Sequence, residues 1–152
     1  MNIRPTVSAD IPDLERVLSE TGLFPSDMLR EMISAFLSAQ ESSDIWMTCE
    51  VEGRAIGFCY AAPEALTKGT WNMLAIAVLP GEQGRGVGGA IVSALEDALK
   101  ERDARVLIAD TSGTAAFERT RAFYSRNGYT EEARIRDFWT VGDDKVVFWK
   151  AL

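Results

Sequence analysis

Apolar residues recur at helical spacing in the first quarter of the chain, after a short apolar segment at residues 2–7 that predicts a strand. Ser8 or Asp10 is expected to cap a first helix, and Gly22 is expected to end it. A second helix is predicted to begin at Pro25. Its inward face would consist of Met28, Leu29, Met32, Ile33, Phe36 and Leu37. The chain is therefore expected to open with one strand and two helices.

In the middle of the chain the pattern changes to that of β-strands. Residues 44–51 and 54–62 are predicted to pair as a hairpin around the two-residue turn Glu52-Gly53. Residues 70–78 form a further apolar segment that predicts the next central strand.

Both cysteines of the chain, Cys49 and Cys59, lie in this hairpin. The two-residue turn would place Cys49 opposite Ile56 and Cys59 opposite Trp46. Because the thiols would not face each other, we expect two buried free cysteines, as is usual in a reducing compartment.

In the second half of the chain, helices alternate with strands. The predicted elements are a helix at 86–101, a strand at 106–110, a helix at 115–127, and a hairpin of strands at 129–139 and 145–149. This order predicts an α/β protein of the α+β type, with a single mixed, mostly antiparallel sheet and helices on both faces. No linker or repeat interrupts it, so residues 1–152 are expected to form one domain.

The composition is that of an ordinary soluble domain, with 47% hydrophobic and 26% charged residues. The net charge of −7 argues against nucleic acid as a partner, because phosphate backbones are bound by clustered Lys and Arg. No apolar run approaches the roughly 20 residues of a membrane helix, and the first residues contain no apolar signal segment. We therefore expect a cytoplasmic protein that binds neither nucleic acid nor membranes.

Histidine is absent from the sequence. This excludes Ser–His and Cys–His nucleophile schemes and the usual zinc ligand sets, so we expect no metal. Proton transfer would have to use carboxylates, Tyr, Lys, Cys or water.

A glycine-rich run joins the strand at 70–78 to the next helix. Its sequence is Gln83-Gly84-Arg85-Gly86-Val87-Gly88, followed by Gly89. Backbone N–H groups without obstructing side chains, placed at a helix N-terminus, form a phosphate-binding site. The expected ligand is therefore a phosphorylated cofactor.

The same run also matches a dinucleotide fingerprint, in which Gly84, Gly86 and Gly89 form G-x-G-x-x-G and Asp110 lies near the downstream acidic position. That fingerprint belongs in a tight turn, whereas residues 79–83 separate the strand from the first glycine. Several elements also precede the motif, and too little chain follows it to complete a dinucleotide domain. A Walker phosphate loop is excluded because there is no G-K-[ST] sequence.

Three segments carry a resemblance over the whole chain. They are the strand Ile76-Ala77-Val78-Leu79-Pro80, the loop Gln83-Gly84-Arg85-Gly86-Val87-Gly88, which fits [R/Q]-x-x-G-x-[G/A], and Ala122-Phe123-Tyr124-Ser125-Arg126-Asn127-Gly128-Tyr129, which is similar to A-x-x-F-Y-x-x-x-G-[F/Y]. In these segments, and in the order of its predicted elements, the chain resembles the GNAT superfamily of acyl-CoA-dependent N-acyltransferases. The resemblance implies the GNAT fold over residues 1–152.

The resemblance implies acetyl-CoA as the acyl donor. The pyrophosphate would rest on the backbone N–H groups of the loop, and the pantetheine arm would pair with the strand before it. The N–H of Val78 would polarise the thioester carbonyl. The implied cofactor-binding residues are Ile76, Ala77, Val78, Gln83, Gly84, Arg85, Gly86, Val87, Gly88 and Gly89.

The resemblance also implies the catalytic residues. Tyr124 matches the tyrosine that protonates the departing thiolate. The general base would be a carboxylate that acts directly or through water. Asp110, at the end of a strand, and Glu64, after the first hairpin, are both candidates.

One position departs from the superfamily pattern. Relatives often have an asparagine seven residues before the tyrosine, in contact with the cofactor, and here that position is Phe117. The contact must be lost, or replaced by Thr120 or Arg121.

Residues 135–144, at the tip of the last predicted hairpin, contain two aromatic and three acidic residues. In relatives this hairpin often borders the acceptor site, and such a rim would suit a cationic amine by charge and by cation–π contact. A solvated β-turn is the alternative interpretation.

The resemblance implies an N-acetyltransferase in which a primary amine, of a small molecule or a protein, attacks acetyl-CoA directly in a ternary complex. A non-catalytic acyl-CoA-binding module and a dinucleotide-binding oxidoreductase stay open as alternatives. Relatives are often dimers, so a homodimer is expected.

Overall fold

The computed structural model describes residues 1–38 and 42–152. The strands are β1 (Asn2–Pro5), β2 (Ile45–Val51), β3 (Arg54–Pro63), β4 (Thr70–Val78), β5 (Val106–Ser112), β6 (Thr130–Thr140) and β7 (Asp143–Ala151). They form a seven-stranded sheet with the spatial order β1-β2-β3-β4-β5-β7-β6.

Four α-helices in the described residues pack on the sheet. They are α1 (Ile11–Thr21), α2 (Leu29–Leu37), α3 (Val87–Lys100) and α4 (Glu118–Arg126). Helices α1 and α3 both pack against β3, from opposite faces of the sheet. The core between the layers contains the fully buried Trp46, Phe58 and Phe148.

The sheet is antiparallel except where β4 lies beside β5. Residues 70–73 of β4 pair in parallel with residues 106–109 of β5. Beyond this four-residue ladder the two strands separate, although β4 continues to Val78 and β5 to Ser112. The predicted mixed, mostly antiparallel sheet with helices on both faces is confirmed, and it contains a gap at its centre.

Asp10 occupies the N-cap position of α1, but its side chain makes no capping hydrogen bond, and Gly22 ends the helix as predicted. A turn of 3₁₀ helix, Ser8–Asp10, leads into α1, and no side chain caps the helix. The Asp10 carboxylate instead accepts a hydrogen bond from the Val7 N–H at 2.9 Å and binds the Arg4 guanidinium at 2.8 Å. Gly22 ends α1 with φ = 69°, in the left-handed region that glycine adopts readily.

The predicted inward face of the second helix is wrong at one residue. Met28 lies in the 3₁₀ turn Ser26–Met28 that precedes α2, and it is 48% exposed. Leu29 and Ile33 are buried as expected. The helical periodicity of the sequence therefore begins one turn before the regular helix does.

A β-bulge at Cys49 and Glu50 shifts the register of the β2–β3 hairpin by one residue. Cys49 consequently pairs with Gly57, and Cys59 pairs with Met47, one position from the predicted partners. Both thiols are free and buried, as predicted. Burial raises the pKa of the Cys59 thiol to about 12, so it stays protonated and unreactive at neutral pH.

A buried ion pair joins α3 to β7. The Lys150 ammonium donates to both carboxylate oxygens of Glu96, at 2.9 and 3.0 Å, and to the Asn127 carbonyl at 3.0 Å. The Tyr129 hydroxyl donates to the same carboxylate at 2.9 Å. The Glu96 side chain is only 9% exposed, so these donors compensate a charge that water barely reaches.

Within the described part of the chain, no helix is long and apolar enough to cross a membrane.

Candidate active site

A cleft of about 850 Å³ lies between the end of β4, the glycine-rich loop and α4. It is lined by Thr21, Leu23, Ile76, Ala77, Val78, Gln83, Gly84, Gly86, Gly88, Gly89, Ala116, Phe117, Arg119, Thr120, Ala122, Phe123, Arg126 and Asn127. These include every predicted cofactor residue except Arg85 and Val87.

The backbone of the glycine-rich loop lines this cleft at Gly84, Gly86, Gly88 and Gly89. Gly84 and Gly86 have φ values of 76° and 83°, which a residue with a Cβ adopts only with strain. Helix α3 follows directly, and its first turn has no side-chain cap and no acidic residue. The first N–H groups of α3 are therefore left for an anion, in the positive part of the helix dipole.

The later glycines of the loop are required by packing. A Cβ on Gly88 would lie 3.0 Å from the Phe123 ring, and a Cβ on Gly89 would lie 3.1 Å from Oδ1 of Asn127. Because Gly88 and Gly89 have no side chains, α3 can approach α4 closely at the floor of the cleft. From the sequence, these glycines were expected only to let a phosphate group approach the backbone.

The last residue of β4, Val78, directs its backbone into the gap of the sheet. The next N–H, that of Leu79, donates to the Ile56 carbonyl of β3 at 2.9 Å. Backbone N–H groups alternate in direction along a strand, so the Val78 N–H points away from β3. The Val78 carbonyl points the same way and accepts a hydrogen bond from Nε2 of Gln83 at 2.9 Å.

Arg85 and Val87 do not line the cleft. The Arg85 guanidinium lies 3.4 Å from the Glu82 carboxylate and is largely exposed. Val87 buries its side chain in the core and offers only its backbone at the start of α3.

Two arginines of α4 line the cleft instead. Arg119 and Arg126 lie seven residues apart, about two helical turns, and therefore share one face. From the sequence alone, neither arginine was assigned a role. The seven-residue spacing beside the segment Ala122 to Tyr129 is the signal that could have identified them.

A smaller cavity of about 110 Å³ continues from the cleft, where β4 and β5 separate. Tyr124, Asp110 and Ile76 are among the residues that line it. The Tyr124 ring packs against Phe148 and is almost fully buried. This burial, together with the charge of Asp110, raises the pKa of the Tyr124 phenol, so the hydroxyl keeps its proton throughout the neutral range.

The two predicted candidates for the base are linked by a residue that the sequence analysis missed. Nδ2 of Asn72 donates to Oε1 of Glu64 at 2.9 Å and lies 3.4 Å from Oδ2 of Asp110. Asn72 is 6% exposed, and its Oδ1 has no hydrogen-bond partner among the residues that the structure describes. Oδ1 of Asp110 likewise has none. A polar residue inside an otherwise apolar strand was the available signal.

The chain matches the model of the Acetyltransferase (GNAT) family over residues 11–129. This chain belongs to the GNAT acetyltransferase family. No curated protein matches its sequence.

Solved structures show the same fold as this GNAT protein. A Desulfovibrio desulfuricans protein assigned to the GNAT family is 28% identical, with a TM-score of 0.92 over 99% of this chain and 98% of that one. A ribosomal-protein-alanine N-acetyltransferase from Brucella melitensis is 18% identical, with a TM-score of 0.81 over 100% of both chains. An aminoglycoside 6'-N-acetyltransferase complexed with coenzyme A is 15% identical, with a TM-score of 0.81 over 99% of this chain and 97% of that one.

At the position where GNAT relatives often have asparagine, Phe117 lines both the cleft and the smaller cavity. Of the two replacements considered, Thr120 also lines both cavities. Arg121 instead donates to the carbonyls of Ser112 and Thr114, at 2.8 and 2.7 Å, and so fixes the β5–α4 connection. Of these two replacements, Thr120 is therefore the one that lines the cleft.

The β6–β7 hairpin of this GNAT protein ends in a two-residue turn between Thr140 and Asp143, and residues 130–142 are exposed, as in a solvated turn. The strand register is broken between Ile135 and Thr140, and Asp137 has φ = 52°. The backbone N–H of Asp137 donates to the Asp144 carboxylate at 3.0 Å. This fold brings the Phe138 ring to 4.5 Å from the ammonium of Lys145, measured to the ring centroid.

Lys145 connects this tip to the candidate base. Its Nζ lies 3.3 Å from Oδ2 of Asp110, and the two side chains are 20% and 15% exposed. Nε1 of the neighbouring Trp139 reaches the Thr111 carbonyl at 3.5 Å. Aromatic and charged groups therefore surround the carboxylate where the strands separate.

Proposed function

We propose that this protein is an N-acetyltransferase that moves the acetyl group of acetyl-CoA to a primary amine in a ternary complex. The observation that carries the proposal is the gap between β4 and β5. An unpaired backbone N–H, that of Val78, faces the gap, and Tyr124 and Asp110 line the cavity beside it.

The residues of the cleft fit acetyl-CoA. Glycines with positive φ and the uncapped start of α3 suit a pyrophosphate, and Arg119 and Arg126 supply positive charge on the facing wall. The free edge of β4 at residues 76–78 suits an extended arm with amide groups. When bound, acetyl-CoA supplies an activated acetyl group.

Each residue around the gap has a distinct role. The Val78 N–H stabilises the negative charge that develops on the carbonyl oxygen during attack. Asp110 takes the proton that the attacking amine must lose, and Tyr124 gives a proton to the departing sulfur. Glu64 acts through Asn72, whose amide holds the two carboxylates apart and oriented.

The acceptor in this proposal is a primary amine that arrives as a cation. Asp110 lines the small cavity, Asn72 links it to Glu64, and these carboxylates attract an ammonium group. Structural relatives named for an aminoglycoside and for an alanine of a ribosomal protein support either a small-molecule amine or a protein amine as the acceptor.

Calorimetric titration with acetyl-CoA tests the proposal, with NADH as the parallel control. We expect saturable binding of acetyl-CoA and none of NADH, followed by release of free thiol in the presence of an accepted amine. Binding without thiol release across a broad set of amines would favour the non-catalytic acyl-CoA-binding module. Binding of NADH in place of acetyl-CoA would favour the dinucleotide-dependent oxidoreductase.

Removing the cleft arginines is expected to weaken acetyl-CoA binding. Arg119→Ala and Arg126→Ala should each raise the Kd about 10-fold, because a charge-assisted hydrogen bond to phosphate contributes about 1.5 kcal/mol or more. Arg30→Ala is the matched control, since Arg30 pairs with Glu15 on an exposed surface and does not line the cleft. Equal Kd values for all three variants in calorimetry would contradict this placement.

The two carboxylates are expected to differ in their effect on turnover. Asp110→Asn should lower kcat about 10²-fold or more, because Asp110 lines the cavity next to Tyr124. Glu64→Gln should lower kcat less than about 10-fold, because it acts only through Asn72. Steady-state kinetics on each variant decides the assignment, and the reverse order of effects would make Glu64 the base.

A further inference from the structure

The ammonium of Lys145 occupies a position with the chemistry that the proposed acceptor requires. It is a primary amine on an unbranched chain, 3.3 Å from the Asp110 carboxylate and 4.5 Å from the centre of the Phe138 ring. Lys145 lies in β7 opposite Ser112 of β5, so the strand fixes the base of its side chain. The protein thus holds one of its own amines against the proposed base.

The position also lies next to the proposed reaction centre. Asp110, in contact with Lys145, lines the small cavity together with Tyr124 and Ile76. That cavity opens from the cleft at the point where β4 and β5 separate. An acetyl group delivered along the free edge of β4 would therefore arrive beside this side chain.

We infer that Lys145 is a self-acetylation site, an inference that rests on the proposed acetyl transfer from acetyl-CoA. Nζ of Lys145 gives one proton to Asp110 and forms a C–N bond with the acetyl carbonyl carbon. The C–S bond breaks, and the leaving sulfur takes a proton from Tyr124. The second proton leaves Nζ for solvent, and the proton held by Asp110 restores the Tyr124 phenol. The products are therefore N-acetyl-lysine, free coenzyme A and one proton, with no change of oxidation state.

Acetylation would change the charge at the acceptor site. The N-acetylated side chain is neutral, so it forms neither the ion pair with Asp110 nor the cation–π contact with Phe138. The site then contains two carboxylates without an internal counter-ion, and it attracts a cationic acceptor more strongly. Self-acetylation is thus a means of raising the affinity for the acceptor.

The remaining lysines provide internal controls. The chain contains Lys68, Lys100, Lys145 and Lys150. Lys68 and Lys100 are exposed, and neither forms a salt bridge with a residue that lines the small cavity, whereas Lys145 does so with Asp110. Lys150 is held by Glu96 and the Asn127 carbonyl. Uncatalysed acetylation in solution would therefore modify Lys68 and Lys100 first.

The test is a time course of acetylation by acetyl-CoA, read by peptide mass spectrometry at each lysine. We expect Lys145 to gain an acetyl group at least about 10-fold faster than Lys68 or Lys100, because it is held in position. Asp110→Asn should slow labelling of Lys145 about 10²-fold or more, whereas Lys68→Arg should leave it unchanged. Lys145→Arg keeps the charge and should remove the modification.

A second readout needs no acetyl-CoA. N-succinimidyl acetate should label Lys145 more slowly than Lys68 in the unmodified protein, because the ion pair with Asp110 partly covers its nitrogen. Asp110→Asn should narrow this difference. A Lys145 rate equal to that of Lys68 with both reagents would overturn the inference. Acetyl-CoA binding in calorimetry without selective labelling would overturn it while leaving the proposed function intact.

Discussion

Replacement of Tyr124 by phenylalanine is expected to lower kcat about 10²-fold or more, while the Kd for acetyl-CoA changes less than about two-fold. The phenol lines the small cavity, and its raised pKa keeps the proton in place until the sulfur departs. Phenylalanine preserves the ring contact with Phe148, so the fold and the cleft should be retained. Steady-state kinetics and calorimetry on the same preparation separate the two quantities.

Tyr60→Phe is the matched control for this experiment. It also removes one phenol hydroxyl, which here donates to Asp44 at 3.1 Å, and Tyr60 lines neither cavity. We expect kcat to stay within about three-fold of the parent value. If Tyr124→Phe were as active as this control, Tyr124 would have no role in proton transfer.

Replacement of Lys150 by methionine is expected to lower the free energy of unfolding by about 2–3 kcal/mol. The change leaves the Glu96 carboxylate, which is 9% exposed, without its cationic partner. Since Lys150 itself is 28% exposed, water can enter to compensate part of the loss, so the effect lies below that of a fully enclosed pair. For a chain of this length the midpoint of thermal unfolding should fall by about 5–10 °C.

The double variant Lys150→Met with Glu96→Leu tests the cause. If the unpaired charge is responsible, the second substitution should recover most of the lost stability, because no buried carboxylate remains. Lys100→Met is the surface control, since Lys100 pairs with Asp97 at 3.8 Å in an exposed position. Additive losses in the double variant, measured by urea denaturation, would instead assign the effect to lost packing.

The order of elements could be predicted from the sequence because each element has a clear apolar period and clear end signals. β4 was predicted with its observed bounds, and Gly22 ends α1 as expected. The β-bulge at Cys49 could not be predicted, because an extra residue in one strand leaves the alternation of the hairpin almost unchanged. The 3₁₀ turn at Met28 shares the helical pattern and was missed for a similar reason.

The site could be predicted only where local sequence defines it. The glycine loop and Tyr124 lie in recognisable segments, and they remain predictions of role that their positions support. Asn72 and Lys145 come from β4 and β7, and only the strand order brings both next to Asp110. These contacts with Asp110 cannot be read from spacing along the chain, because they depend on how the strands pair in the sheet.

In the proposed mechanism, the short ladder between β4 and β5 sets how the reacting groups on its two sides are aligned. On one side of it lies Val78, and on the other lie Asp110 and Lys145. A small sliding of β4 along β5 would change the distance between the Val78 N–H and the Asp110 carboxylate. Neither side of the sheet would have to unfold. The ion pair between Glu96 of α3 and Lys150 of β7 links the two sides of this ladder, so under the proposed mechanism it would help to hold the spacing of the reacting groups.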